Sequence, residues 1–106
     1  ARGRDSRFQA KVDLVDVKDP YLADPESPVV QTMAEAVRQV RGVEPEFMAA
    51  GWLGDTSSFG SNVPTVIFGP GGEPVYCPNE NLSVSDIEEA TRVYAVFAAL
   101  ALTNDR

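Results

Sequence analysis

The chain has 106 residues, a net charge of −7 and no histidine. That length fits one domain at most, and the acidic balance argues against a nucleic-acid or anionic-membrane partner, since phosphate contact needs clustered Lys and Arg. Without histidine, Ser-His-Asp and Cys-His catalysis are excluded, as is any His-ligated metal site built from this chain alone.

A hydrophobic content of 43% with 24% charged residues is ordinary for a soluble globular protein. No apolar run approaches the roughly eighteen residues of a spanning helix. The start of the chain has no apolar h-region, so no signal peptide is expected and a cytoplasmic location is. Its small basic cluster, Arg2, Arg4 and Arg7, reads as a solvated end. The single cysteine, Cys77, leaves no internal disulfide and suits a reducing compartment. Asn81-Leu82-Ser83 fits the glycosylation pattern, which carries no weight without secretion.

In chain order, residues 8–17 alternate at first. Phe8, Ala10, Val12 and Leu14 point one way, and Gln9, Lys11 and Asp13 the other. This predicts a strand with one wet face, slipping at Val15, yet no hairpin partner precedes it. The next stretch, 19–28, holds Pro20, Pro25 and Pro28 among acids, a stiff connector and a plausible boundary.

Ser27 and Pro28 then open a helix, as N-cap and first helical residue. Val30, Met33, Ala34, Val37 and Val40 form its apolar stripe, and Gln31, Glu35, Arg38 and Arg41 its wet side. Arg38 and Arg41 suit the negative end of the dipole, and Gly42 closes the helix.

Glu46 to Ala50 could be a short strand before Gly51 and Gly54 break the chain. Trp52 beside those glycines either walls a pocket or plugs a core. Gly54-Asp55-Thr56-Ser57-Ser58 reads as an N-cap with a short helix behind it, or as donors aimed at a ligand.

Val63 to Phe68 predicts a buried strand that runs into Gly69-Pro70-Gly71-Gly72, where open α/β sheets place ligands. The loop lacks the Gly-Lys-Ser/Thr of a phosphate-binding loop and is not G-x-G-x-x-G. Ser85-Asp86-Ile87-Glu88 reads as a capping box for a helix to about Leu102. Ile87, Ala90, Val93, Tyr94, Phe97, Ala98 and Ala101 form its band, widened by Val96, Leu100 and Leu102. So broad a band predicts a helix largely covered, beyond what a chain of this size supplies.

Taken together, the D-P-E-S-P helix start, G-D-T at 54–56, V-P-T-V-I-F-G-P-G-G at 63–72, P-N-E-N-L-S-V at 78–84 and the E-A-T-R-V-Y helix resemble a known pattern. It is the C-terminal part of the acetylornithine deacetylase / succinyl-diaminopimelate desuccinylase / carboxypeptidase family of dinuclear zinc amidohydrolases and peptidases. The resemblance covers nearly the whole chain. It implies a partial three-layer α/β catalytic domain preceded by the last strand of an inserted lid. Residues 1–18 would end the lid and dimerisation domain, 19–27 would form a proline-rich hinge, and 28–106 would be the closing half of the catalytic domain.

The same resemblance implies substrate contacts from Asp55, Thr56 and Ser57, with the choice between the two hydroxyls open, and from the backbone of Gly69, Gly71 and Gly72. It implies two zinc ions in the parent enzyme and none in this chain alone. They would lower the pKa of a bridging water while a glutamate base relays its proton. Most ligands and the base would lie in a missing N-terminal half. The one histidine ligand this segment normally gives falls at Tyr76, four residues before Glu80. A phenol is a poor substitute for imidazole on zinc, and Cys77, a better ligand as thiolate, would need a register shift.

The function so implied is the inactive C-terminal segment of a metal-dependent hydrolase acting on an N-acyl amino acid or small peptide, with a homodimer possible through the lid. The alternatives are a non-catalytic binding domain that has lost its metal-ligand histidine, and an unrelated small α/β domain.

Overall fold

A computed structural model describes residues 7–52, 54–59, 62–71 and 75–104. Among these the regular elements are three helices, α1 (Pro28–Arg41), α2 (Thr56–Phe59) and α3 (Val84–Asn104).

The start of α1 follows the predicted chemistry only in part. Ser27 takes the extended N-cap conformation with Pro28 behind it, but its hydroxyl caps nothing. At the other end Gly42 adopts φ 69°, and its N–H reaches the Arg38 carbonyl at 2.9 Å. A left-handed C′ residue of this kind suits glycine, which has no Cβ to clash.

The first turn of α3 departs from the sequence reading. Its cap is Ser83, whose Oγ accepts the Asp86 N–H at 3.0 Å and also donates to the Asp86 carboxylate. The N-cap is therefore Ser83, with Asp86 as its N3 partner, and the helix starts at Val84 rather than after Ser85.

Helices α1 and α3 pack against each other. Met33, Ala36, Val37 and Val93 form the buried cluster, and Val40, Val66, Phe68, Val96, Phe97 and Leu100 close around it. The expected stripe of α1 is found, with Val30, Met33, Ala34 and Val37 buried and Val40 at its margin. Ala36 joins them with no exposed surface, because α3 covers that flank as well. The helix pair is tied at its polar rim by Arg41 Nε and Glu89 Oε1, 2.6 Å apart.

The strands expected at 8–17 and 63–68, and the possible one at 46–50, are not found among the described residues. Among the described residues the fold is therefore helical, and the sheet of the α/β reading is not found there. The physical reason is that a strand is completed by a ladder, and these segments have none. Residues 8–17 belong to no regular element and have both faces in solvent, Val15 being 95% exposed. Residues 63–68 are different. Val66 and Phe68 pack on the helix pair, although no neighbouring segment pairs with their backbone in a ladder.

The covered band expected on α3 is also only partly realised. Ala90 and Val93 are buried, whereas Ile87, Tyr94 and Leu102 are exposed. The α-carbon radius of gyration is 19.6 Å, against about 13 Å for a compact domain of this length.

Candidate functional site

The site is built on the segment that leaves the helix pair at Phe68. Its backbone has substitutes for a ladder, and both are phenols. Tyr21, in the connector, donates from its hydroxyl to the Thr65 carbonyl at 3.2 Å and accepts the Thr65 N–H at 3.0 Å. Tyr94, on α3, donates to the Phe68 carbonyl at 2.7 Å. The Tyr94 ring meets Phe68 edge-on, with centroids 5.6 Å apart and planes at 84°. On the α1 side the Arg41 guanidinium lies 5.7 Å from the Phe68 ring centroid. Phe68 is thus gripped from two helices at the point where the chain enters Gly69.

Beyond Phe68, a cleft of about 280 Å³ is lined by Pro70, Val75, Glu80, Asn81 and Leu82. Gly69 and Gly71 belong to the described part of this loop, while Gly72 lies outside the described residues. A Cβ at Gly71 would meet nothing within 4 Å, so its neighbourhood is open enough for a ligand's approach.

Across the cleft, residues 76–80 form a tight turn. The Glu80 N–H reaches the Cys77 carbonyl at 3.2 Å, and the Glu80 carboxylate accepts the Tyr76 N–H at 2.8 Å. Tyr76 sits at φ 56°, an uncommon conformation for a bulky residue. Its side chain is 82% exposed. Glu80 therefore serves its own turn, holding Tyr76 in the left-handed region, and Cys77 is half-buried beside it.

The third predicted contact, Gly54 to Ser58, leads into the short helix α2, with no cap from the Asp55 side chain among the described residues. The Ser57 hydroxyl donates to the Gly54 carbonyl at 2.9 Å, and the Ser58 N–H to the Asp55 carbonyl at 2.9 Å. Asp55 is exposed and pairs with Lys18 at 3.9 Å. Trp52 neither plugs the core nor walls either cleft described here: it is half-exposed and covers Gly54, where a Cβ would come within 3.2 Å of its ring. Asp55, Thr56 and Ser57 do not line the cleft at Pro70. The structure brings the glycine loop and the 76–80 turn together, and leaves the 54–58 turn apart.

A second, larger cleft of about 500 Å³ lies between α1, residues 43–47 and residues 66–68. Glu44 on its rim forms a bidentate pair with Arg38, both contacts at 2.7 Å. That hydrogen bond is the first cause holding the Glu44 carboxyl below its ordinary range, and Arg38 is raised in return. Glu35 is also lowered, first by its bond from Gln39 and then by that from Arg38.

The described residues do not by themselves make a zinc site. Among the described residues no three His, Cys, Asp or Glu side chains gather closely enough to hold a metal ion. Tyr76, at the expected ligand position, projects into solvent from a turn whose carboxylate is bonded to backbone. No described helix is long and apolar enough to cross a membrane.

The residues that sequence reasoning missed are Tyr21, Tyr94 and Arg41 as holders of the loop. Tyr94 had a usable signal, since a tyrosine on a helical face needs a partner for its hydroxyl. Tyr21 had none, because its partner lies 44 residues away.

Comparison with known proteins gives one consistent answer. Succinyl-diaminopimelate desuccinylase of a Nitratiruptor species is 34% identical over 79 residues, which are 74% of this chain and 21% of that protein. The enzyme of the same name from Nitrosomonas eutropha is 32% identical over 87 residues, 81% of this chain and 23% of that protein. The one from a Sulfurovum species is 30% identical over 79 residues, again 74% and 21%. The chain thus spans about a fifth of the length of the curated relatives it matches. No solved structure gives a significant match. The profile of Peptidase family M20/M25/M40 matches residues 8–100, and the chain belongs to that family of peptidases and related hydrolases.

Proposed function

We propose that this chain is the C-terminal segment of a metal-dependent hydrolase that cleaves the amide bond of an N-acyl amino acid or small peptide, and that it is inactive alone. One observation carries the reading beyond family membership. The apolar segment Val63–Phe68 packs Val66 and Phe68 on the helix pair without a ladder, and leads straight into the glycine loop. A missing N-terminal half would supply the neighbouring strands, most metal ligands and the general base. Residues 1–18 would then end a lid able to form a homodimer, 19–27 the hinge and 28–106 the closing half of an α/β domain. The protein would work in the cytoplasm with paired zinc ions.

In this reading Gly69, Gly71 and Gly72 offer backbone to the substrate. Asp55 and Thr56, whose turn lies apart from this loop, would contact another part of the substrate, and Ser57 is the weaker candidate because its proton is spent on Gly54. The relatives' printed activity makes an N-succinylated amino acid the first substrate to try. Zinc content of the full-length protein after dialysis tests the proposal. Paired, tightly held ions support it, and a metal-free protein without hydrolase activity sinks it.

A second reading, a binding or interaction domain without catalysis, is favoured by one residue. Tyr76 stands where a histidine ligand is expected, exposed and in a left-handed turn. Tyr76→Cys or Tyr76→His separates the two readings: zinc affinity of the full-length protein rises if the other ligands exist, and stays flat if they do not.

A further inference from the structure

We propose that Tyr94 is a positioning residue for the glycine loop, setting the peptide plane from which Gly69 meets a ligand; the substrate half of this role rests on the hydrolase reading above. Tyr94 is 44% exposed, so the need to fill a core does not explain a large aromatic there. Its one polar atom is used on the Phe68 carbonyl, 2.7 Å away, and its ring is set edge-on to the Phe68 ring.

That carbonyl and the Gly69 N–H belong to one planar peptide unit, in which a trans bond points them in opposite directions. Fixing the oxygen therefore fixes the line along which Gly69 can donate. The hydroxyl also lies 3.9 Å from where a Gly69 Cβ would stand, so the clamp sits directly over this residue. Glycines lose more conformational freedom on ordering than other residues, and a loop of them binds weakly unless something orders it first. Phe68 is held on its other side by Arg41, which Glu89 anchors from α3 at 2.6 Å. Tyr94 and Glu89 thus place α3 as the frame of the loop, and Tyr94 is the member that touches the loop's backbone.

The Tyr94→Phe variant keeps the ring contact and removes only the hydroxyl. In the full chain, backbone order parameters at Gly69 should fall from about 0.85 toward 0.6, with helix content and melting temperature near wild type. In the full-length hydrolase, KM for an N-succinylated amino acid should rise about fivefold, the worth of one net hydrogen bond, with kcat nearly unchanged. Tyr94→Leu should loosen the loop further. Unchanged order at Gly69 in Tyr94→Phe, or equal loosening of the loop and of the α1–α3 pair, overturns the proposal. So does a loosened loop with KM unmoved. A wild-type full-length protein without hydrolase activity would remove the substrate role together with the reading it rests on, and the order parameters alone would then decide the clamp.

Discussion

The Tyr21 hydroxyl bonds both backbone groups of Thr65, accepting its N–H at 3.0 Å and donating to its carbonyl at 3.2 Å. One phenol on the connector thereby does for this residue what a neighbouring strand would do through a ladder. It also fixes the distance between the connector and the segment that feeds the glycine loop. Tyr21→Phe leaves both Thr65 groups without that partner, in a part-buried position. The expected cost is about 1–2 kcal/mol, since stranding polar groups costs more than the mean worth of a bond. Urea titration measures the loss, and amide exchange locates it. Unaltered exchange at Thr65 would show that the hydroxyl holds nothing in solution.

The N-terminus of α3 gives a second test, because two serines compete for the role of cap. Ser83 accepts the Asp86 N–H, and its own carbonyl accepts the Ile87 N–H at 3.2 Å. Ser83→Ala should destabilise the chain by about 1 kcal/mol, the usual worth of a lost N-cap. Ser85→Ala should cost clearly less. Thermal melts of the two variants rank them, and the reverse order would restore the cap to Ser85.

What could be read from residue order follows from the range of the forces involved. The bounds of α1 were legible because Ser27, Pro28 and Gly42 act within a few residues of themselves. Its buried face was legible for the same reason, except Ala36, whose burial depends on where α3 crosses. The strands read at 8–17 and 63–68 form no ladder among the described residues. Alternation at 8–17 records a preference for burying one face and wetting the other, but only a partner backbone makes a ladder. The site was legible as motifs and illegible as geometry. Nothing in G-D-T or F-G-P-G-G says that the first turn stays apart from the second, or that Glu80 bonds the Tyr76 N–H.

The helix pair can be probed at its tightest point. Val93 has no exposed surface and meets Met33, Ala36 and Val37. Val93→Ala should cost roughly 1–3 kcal/mol through lost burial and an unfilled void. Ala36→Leu should cost a similar amount for the opposite reason, since the added carbons have no room between α1 and α3. Helical signal followed through urea denaturation tests both. A neutral Ala36→Leu would mean that the two helices do not cross at that residue in solution.

Acid sensitivity at the Arg38 cluster follows from the sign of its shifts. Glu44 has its carboxyl lowered chiefly by the hydrogen bond from Arg38, and Glu35 by Gln39 and then Arg38. A carboxyl lowered in the folded chain contributes stability above its unfolded pKa, near the ordinary value of about 4.3, and loses it as pH falls through the lower folded value. Glu44→Gln should therefore melt below wild type near pH 7, with the gap closing in acid once pH falls below the lowered folded value. Both partners are solvent-exposed, so the gap should be small and should shrink as salt rises from about 0.01 M to 1 M. A gap that persisted in acid would assign the effect to packing of the Glu44 side chain rather than to its charge.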